Sequence, residues 1–343
     1  MSYIIIKISL FVLLCIVTLQ NVAFIHRFSY DRSQTKKHYQ PKRKTMMHHH
    51  QKQPSLLNFL YNNSVGKFLR SGLTKKWFSS MAGFYCDRSF SKRHISKFIH
   101  NNNINSAEAQ KSIKEFTTFN DFFIRTLKPD ARPIDHELLS ITSPTDGHVM
   151  IFENSTSTMR FPIKESSFNL QQFLGNKEQA ANYEGGTIMI FRLAPWDYHR
   201  FHFPIDCIPT KPYHINGRYE SVNPLVYYSG IQPLTENERH SYLLKNNICG
   251  AITMVSVGAL CVGKIIETYT PEKNYKKGDE TGYFCFGGST LVLIFKCNAI
   301  KVSLEILNNS KEGKETPIKM GQAIGTIVFN ASPIDNDYFN ENK

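Results

Sequence analysis

The fold is decided by the stretch from Lys277 to Phe295, KGDETGYFCFGGSTLVLIF. A polar turn leads into Tyr-Phe-Cys-Phe, and Gly287-Gly288-Ser289-Thr290 separates these residues from the apolar run 291–295. An apolar run bounded by glycines predicts a buried β-strand. Two adjacent glycines at its start predict a bulge or another unusual backbone conformation, because glycine adopts such geometries with the least strain.

A glycine followed by a serine in a bent chain can also react with itself. The Ser289 hydroxyl can attack the carbonyl of Gly288, which converts the amide into an ester. Loss of the serine α-proton then breaks the chain and leaves dehydroalanine, which hydrolyses to a pyruvoyl group and ammonia. The hydroxyl proton needs a base, such as a histidine oriented by a carboxylate. A structural bulge without chemistry is the simpler interpretation of these residues alone.

The composition describes a strongly basic chain. Its 343 residues include 41 Lys and Arg against 28 Asp and Glu, a formal net charge of +13. This excess of positive charge favours a polyanionic partner, either nucleic acid or an anionic membrane surface. The seven cysteines form no Cys-x-x-Cys pair, so neither a zinc site nor a disulfide framework is predicted.

The first 135 residues divide into three segments. Residues 8–25 are a long charge-free apolar run, so residues 1–25 are predicted to be a signal anchor or transmembrane segment, with a cleaved signal peptide as the alternative. Residues 26–54 are basic and polar, which predicts a disordered linker. Residues 55–135 show helical periodicity with many Lys and Arg. They are predicted to be a membrane-proximal helical region, or else a helical layer on the core.

Residues 136–343 have a different pattern of apolar and turn-forming residues. Short apolar runs alternate with Gly, Pro and Asn, which predicts a mainly antiparallel β core. The predicted fold class is therefore α+β, with an N-terminal helical layer followed by a sandwich-like or barrel-like β core. Just before this core, Thr118-Phe119-Asn120-Asp121 resembles a capping box and predicts the start of a helix.

Three further residues are candidates for chemistry beside Ser289. Asp146 lies in the turn 143–147, and His199 and His202 follow a predicted strand. Together they offer an acid, a base and a nucleophile. Metal ligation by the two histidines is the alternative, but no cysteine or carboxylate lies near them at the usual ligand spacing, so no metal is predicted.

Six motifs resemble, in order, those of phosphatidylserine decarboxylases. They are Phe119–Arg125 with Arg132–Ile134, Pro144–Gly147, Asp197–Pro204, Ser221–Pro224, Val257–Gly263 and the self-cleavage motif at 278–290. The resemblance covers residues 56–330, and Gly-Gly-Ser-Thr is similar to the endomembrane and bacterial branch rather than to the mitochondrial Leu-Gly-Ser-Thr. One departure is Lys164-Glu165, where the family often has Lys-Gly.

The resemblance implies a role for each candidate. Asp146, His202 and Ser289 become a self-processing triad, in which His202 takes the Ser289 proton and Asp146 orients the imidazole. Cleavage between Gly288 and Ser289 gives a β chain (1–288) and an α chain (289–343) that begins with the pyruvoyl cofactor. This group forms a Schiff base with phosphatidylserine, and His199 protonates the carbanion left by carbon dioxide, which yields phosphatidylethanolamine.

The resemblance also implies partners and a location. The two chains are expected to form a heterodimer, and a homodimer of this pair stays open. The substrate lies in a membrane, so the basic charge is assigned to lipid and not to nucleic acid. An endomembrane compartment (ER, Golgi or endosome) is expected, with the mitochondrial inner membrane as the alternative.

Two other functions stay open on the residues alone. A serine hydrolase would use Asp146, His202 and Ser289 as a permanent triad, although the Gly-x-Ser-x-Gly elbow is missing. A biotinyl or lipoyl carrier would use Lys319 in the hairpin-like segment 317–325.

Overall fold

The computed structural model describes residues 55–156, 158–160, 167–227, 229–260, 264–287 and 289–328. The segments predicted to be an anchor (1–25) and a linker (26–54) lie outside these residues. Within the described ranges, no helix is both long and apolar enough to cross a membrane. The α+β class is confirmed, since a helical N-terminal part precedes mostly antiparallel sheets.

The helices are concentrated before residue 124. They are α1 (Ser55–Asn62), α2 (Ser64–Leu73), α3 (Lys76–Cys86), α4 (Ile95–Asn102) and α5 (Phe119–Phe123), with 3₁₀ helices at Ser89–His94 and Ser106–Glu108. The predicted cap is present, because the Thr118 hydroxyl accepts a hydrogen bond from the Asp121 N–H at the start of α5. Later helices are short: α6 (Leu170–Leu174), α7 (Lys177–Ala181), α8 (Pro224–Tyr227), α9 (Pro233–Glu236) and α10 (Leu304–Lys311).

The β core in the described residues consists of four sheets. The strands are β1 (Ser140–Thr142), β2 (Gly147–Phe152), β3 (Thr158–Arg160), β4 (Ser167–Asn169), β5 (Thr187–Leu193), β6 (Arg200–His202), β7 (Ile208–Pro209), β8 (Tyr213–Ile215), β9 (Arg239–Asn246), β10 (Gly250–Val257), β11 (Ile265–Glu267), β12 (Glu280–Phe284), β13 (Ser289–Phe295), β14 (Ile300–Val302), β15 (Thr316–Ile318) and β16 (Ala323–Ile327). The largest sheet has the order β15-β2-β5-β13-β10-β9-β7, with β8 also paired to β9. Smaller sheets have the orders β1-β16-β14, β11-β12-β6 and β3-β4.

Strand β13 is the apolar run predicted to be buried, and it lies in the middle of the largest sheet. It pairs with β5 along its whole length, from Ser289 opposite Leu193 to Phe295 opposite Thr187. On its other side it pairs with β10. All seven of its residues are buried. Alternate side chains enter two hydrophobic clusters, one on each face of the sheet, which explains why the run is apolar without alternation.

Helix α5 packs against the turn that precedes β13. The ring of Phe286 lies 5.2 Å from that of Phe119 and 5.3 Å from that of Phe123. The Phe286 N–H also donates to the side-chain carbonyl of Asn120 at 3.1 Å. A short helix far away in sequence thus fixes the backbone immediately before the Gly-Gly-Ser segment.

Candidate active site

The histidine motif and the Gly-Gly-Ser segment are brought together by a small sheet. Strand β6, which contains His202, pairs with β12, which leads towards Ser289. Just before β6, the carbonyl of His199 accepts a hydrogen bond from the Phe284 N–H at 3.0 Å. Two motifs about 90 residues apart in the chain therefore lie side by side, as antiparallel pairing requires.

His199 is a buried and neutral base. Its Nδ1 lies 2.9 Å from the carbonyl oxygen of Asp197. A carbonyl oxygen only accepts, so Nδ1 carries the proton and Nε2 has the free lone pair. This Nε2 is buried and has no hydrogen-bond partner among the described residues. Burial lowers the pKa of His199 to about 3, although the nearby backbone of Asp197 and Gly287 favours the protonated form.

Ser289 is a buried hydroxyl without a partner. It is the first residue of β13, its exposure is 0%, and its Oγ makes no hydrogen bond within the described part of the chain. An unpaired buried hydroxyl costs folding free energy, as it also does at Ser79, Thr145 and Thr281, but only Ser289 among these four follows two glycines. Gly287 has φ of 140°, a conformation that favours glycine. Gly288, the other residue of the predicted cleavage site, lies outside the described residues.

His202 differs from His199 because both of its ring nitrogens are occupied. Its Nδ1 donates to the carbonyl of Gly278 at 2.9 Å, and its Nε2 lies 3.1 Å from the hydroxyl of Tyr198. With Nδ1 protonated, Nε2 accepts the Tyr198 proton. Burial lowers the pKa of His202, opposed by the hydrogen bond to Gly278. The free lone pair that a base needs is therefore already engaged.

Asp146 is held by cations and not by a histidine. Its carboxylate accepts hydrogen bonds from Nε and Nη2 of Arg132 at 2.8 and 2.7 Å. It also accepts from the Lys319 ammonium at 3.2 Å and from the Met320 N–H at 2.9 Å. Burial alone would raise the pKa of Asp146, but Arg132 and Lys319 hold it below its usual value. The same Arg132 also pairs with Glu108 at 2.9 Å.

The contacts of Asp146 and His202 differ from the geometry expected for the triad, whose roles stay a prediction. The described residues show no hydrogen bond between Asp146 and His202, nor between His202 and Ser289. The reason is competition, since Arg132 and Lys319 take the carboxylate while backbone and tyrosine groups take the imidazole. His199, expected to act only in the later step, has an Nε2 without a hydrogen-bond partner among the described residues, and its ring lies near the Gly287 backbone.

Sequence reasoning gave no role to Arg125, although it lies in one of the motifs that carry the resemblance. Its guanidinium is buried, and Nη2 lies 3.3 and 3.4 Å from the carbonyl oxygens of Trp196 and Asp197. The sequence contained one signal for Arg125. It directly follows three apolar residues, Phe122-Phe123-Ile124, which indicates a buried position, where an arginine is unusual.

Comparison with known proteins gives the family. A sequence profile of phosphatidylserine decarboxylase matches residues 119–326. The chain is 43% identical over 270 residues to the phosphatidylserine decarboxylase proenzyme of Clostridium perfringens, which covers 78% of this chain and 92% of that protein. For the proenzyme of Chlamydia pneumoniae the identity is 41% over 268 residues, 78% of this chain and 89% of that protein. The chain belongs to the phosphatidylserine decarboxylase family, in its bacterial-type branch. It is accordingly an enzyme, a carboxy-lyase.

The same comparison corrects the expected location. The matching relatives come from Clostridium and Chlamydia, and another, from Clostridium novyi, is 42% identical over 271 residues, 79% of this chain and 92% of that protein. Bacterial cells contain neither an ER–Golgi system nor mitochondria. The endomembrane localisation, with the mitochondrial inner membrane as its alternative, is therefore wrong.

The carboxylate network around Asp146 leads to a prediction about stability. We expect Asp146→Asn to lower the free energy of unfolding by about 3 kcal/mol at pH 7, because buried Arg132 loses the charge it pairs with. The folded-state pKa of Asp146 is depressed. The carboxylate therefore stabilises the fold above its unfolded-state pKa, and this stabilisation is lost as the pH falls through the lower folded-state value.

Urea unfolding of wild type and Asp146→Asn from pH 6 to pH 3 measures this effect. The difference in the free energy of unfolding between the two proteins should become smaller towards pH 3. Glu312→Gln is a control, because Glu312 pairs only at the surface with Lys314, and its effect should be small at every pH. If the difference between wild type and Asp146→Asn stays constant down to pH 3, the charged pairing of Asp146 with Arg132 is contradicted.

Proposed function

We propose that this chain is the precursor of a phosphatidylserine decarboxylase that makes its own cofactor. It cuts the bond between Gly288 and Ser289, turns Ser289 into a pyruvoyl group, and converts phosphatidylserine into phosphatidylethanolamine and carbon dioxide. One observation carries the proposal: Ser289 Oγ and His199 Nε2 are both buried and unpartnered among the described residues, in a family whose curated relatives are named proenzymes.

Self-cleavage is a sequence of proton transfers at Ser289. A neutral base takes the hydroxyl proton, the oxygen attacks the Gly288 carbonyl, and the amide becomes an ester. Removal of the serine α-proton expels the Gly288 carboxylate and leaves dehydroalanine at the start of 289–343. Water then replaces the nitrogen, which leaves as ammonia, and the ketone remains. No external oxidant or reductant is needed, because the α-carbon is oxidised as the β-carbon is reduced.

The contacts support His199 as the base for this step. Its Nε2 lone pair is free, its low pKa keeps it neutral, and the Gly287 backbone lies beside it. His202 offers no free nitrogen, since Gly278 and Tyr198 occupy both. This assignment reverses the roles implied by the resemblance. In it His202 holds the loop that carries Gly278 against the motif 197–204.

The residues present fit a pyruvoyl group at position 289. This group supplies a carbonyl that accepts the electrons released when carbon dioxide leaves the substrate. The buried ring of Phe123 lies 4.1 Å from that of His199 and 5.3 Å from that of Phe286, so these rings keep water away from His199. In a dry site neutral His199 forms stronger hydrogen bonds than in water, which suits a group that holds or moves a proton.

The two chains produced by cleavage are proposed to stay together as a heterodimer. Strand β13 belongs to the α chain (289–343), whereas its neighbours β5 and β10 belong to the β chain (1–288). Seven residue pairs join β13 to β5, and five join it to β10. These contacts do not depend on the bond that is cut. A homodimer of this pair stays a prediction.

The rival functions fit the site less well. A serine hydrolase of the Gly-x-Ser-x-Gly type presents its nucleophile on a sharp strand-to-helix turn, whereas Ser289 is the first residue of the central strand β13. A biotinyl or lipoyl carrier needs a free acceptor lysine, and Lys319 is bonded to Asp146.

The proposal includes a surface that contacts the lipid layer. Helices α2 and α3 expose large apolar side chains, with Phe68 78% and Trp77 56% accessible. Basic residues accompany them, among them Lys67 and Lys76, which are exposed. Apolar side chains that enter the lipid and cations that meet its headgroups are typical of helices that lie on membranes.

Intact-mass analysis tests the cofactor. We expect purified wild type to contain a fragment of residues 289–343 whose first residue is lighter than serine and reacts with borohydride. Ser289→Ala should remain a single chain. Ser256→Ala, which changes another buried serine on the neighbouring strand, should be cut like wild type. An uncut wild-type chain would reject the pyruvoyl mechanism.

The two histidine variants should differ in the rate of chain cleavage. His199→Gln is expected to slow cleavage by about 100-fold or more, the usual contribution of a positioned base. His202→Gln should still be cut, and His214→Gln, outside this site, should behave like wild type. A time course of the two fragments on a denaturing gel measures the rates. Cleavage that is lost in His202→Gln and kept in His199→Gln would restore the roles implied by the resemblance.

Vesicle binding tests the lipid-contacting surface. Replacing both Phe68 and Trp77 by Ser should weaken binding to vesicles of phosphatidylserine and phosphatidylcholine by about tenfold or more, because two large apolar side chains no longer enter the lipid. Leu138→Ser is the control, since Leu138 is 83% exposed but lies outside these helices. Equal co-sedimentation of the double variant and wild type would place the lipid contact elsewhere.

A further inference from the structure

Arg125 stands apart from the other buried arginines of the described chain. Arg132 is paired with carboxylates, as is the half-buried Arg192. Arg239 has none, but it donates to three backbone carbonyls at 2.6, 2.8 and 2.6 Å. Arg125 is only 6% exposed, no carboxylate of the described residues lies within ion-pair distance of it, and its Nη1 has no hydrogen-bond partner.

The contacts that Arg125 does make are weak. Its Nη2 reaches two carbonyl oxygens at 3.3 and 3.4 Å, and the guanidinium lies 4.9 Å from the centre of the Phe122 ring. A buried cation with an open donor is costly unless an anion arrives to pair with it. The carboxylates of Asp146 and Asp197 favour this charge from a longer distance, but neither pairs with it, so the open donor still has room for an anion.

This open donor belongs to the proposed reaction site. Arg125 Nη2 and His199 Nδ1 approach the same atom, the carbonyl oxygen of Asp197, at 3.4 and 2.9 Å. Two donors that share one acceptor lie close together. The guanidinium is thus a direct neighbour of the histidine beside Gly287, and its charge contributes to the low pKa of His199 after burial.

We propose that Arg125 binds the carboxylate of the substrate, the group that leaves as carbon dioxide. This inference rests on the proposed function, which names phosphatidylserine as the substrate. In that molecule the reacting amine and the carboxylate are attached to the same carbon, whereas the phosphate is further along the headgroup. A donor next to His199 is therefore placed for the carboxylate rather than for the phosphate.

Arginine suits this role for two chemical reasons. Its guanidinium keeps its proton, so a carboxylate bound to it stays ionised, as it must be to leave as carbon dioxide. Its planar N–H groups also fix the plane of the bound carboxylate, and with it the direction of the bond that breaks. Neutral His199 supplies no positive charge, so Arg125 is the group here that can hold an anion.

The role of Arg125 has a kinetic signature. Negative charge moves off the carboxylate as carbon dioxide forms, so the ion pair is stronger in the bound substrate than in the transition state. Interactions of this kind lower KM without raising kcat. Arg125→Gln should therefore raise KM for a soluble phosphatidylserine, with a smaller change in kcat, and Arg125→Lys should recover part of the loss.

A binding experiment separates the carboxylate from the phosphate. The probes are dihexanoyl phospholipids with 3-hydroxypropionate or with n-propanol as headgroup, which both keep the phosphate and lack an amine. Only the first has the carboxylate. Calorimetry measures the affinity for each probe. We expect Arg125→Gln to weaken the affinity for the carboxylate probe by roughly tenfold to a hundredfold, the usual range for one charge-assisted hydrogen bond. Its affinity for the propanol probe should stay within about twofold of wild type.

Arg93→Gln is the matched control, because Arg93 is exposed, and it should bind both probes like wild type. Equal weakening of both probes by Arg125→Gln would assign Arg125 to the phosphate or to the shape of the site, and would overturn the inference. Unchanged binding of both probes would overturn it as well.

Intact mass separates the two proposals. A wild-type chain that is never cut rejects the pyruvoyl mechanism, while the probe comparison, which needs no amine chemistry, still decides the role of Arg125. If wild type is cut but both Arg125→Gln and Arg125→Lys remain single chains, Arg125 acts in self-cleavage and the carboxylate assignment is overturned.

Discussion

Burial of β13 on both faces is the constraint on which the rest of the structure depends. Its side chains alternate between two hydrophobic clusters, one on each face of the sheet. A shift of the strand by one residue would move every one of these side chains to the opposite cluster. Pairing with β5 and β10 fixes its register from both edges. Ser289 is the first residue of this strand, and its position is therefore set by the hydrophobic core. A reactive group that begins a rigid element is held more precisely than one on a loop.

Backbone carbonyls, rather than a carboxylate, decide the state of each histidine. Asp197 and Gly278 each present an acceptor to Nδ1, which fixes the same tautomer in His199 and His202. The difference arises at Nε2, which Tyr198 occupies in one ring and no described residue occupies in the other. Asp146 acts elsewhere: through Lys319 and Met320 it joins the turn before β2 to the segment between β15 and β16, which lies on the other side of the proposed cut.

The sequence predicted the class of fold, but it did not predict the contacts of the candidate site residues. The apolar run 291–295 and the cap at Thr118 are local patterns, and both were predicted correctly. Which groups pair is a different question, because Asp146 meets a lysine 173 positions away. Residue types could not show that stronger partners would occupy the carboxylate. The location was mistaken for a related reason, since it depended on the branch of a family and on an apolar segment outside the described residues.

The central place of β13 has a consequence for the making of the active protein. The strand can be seated only after β5 and β10, which precede it in the chain, have been made and can flank it. If the chain cuts itself as proposed, the bond next to Ser289 meets His199 only when this assembly is complete. A misassembled chain then acquires no ketone and stays inert. On this mechanism only a correctly folded chain is cut, so every catalytically competent molecule must first have folded correctly.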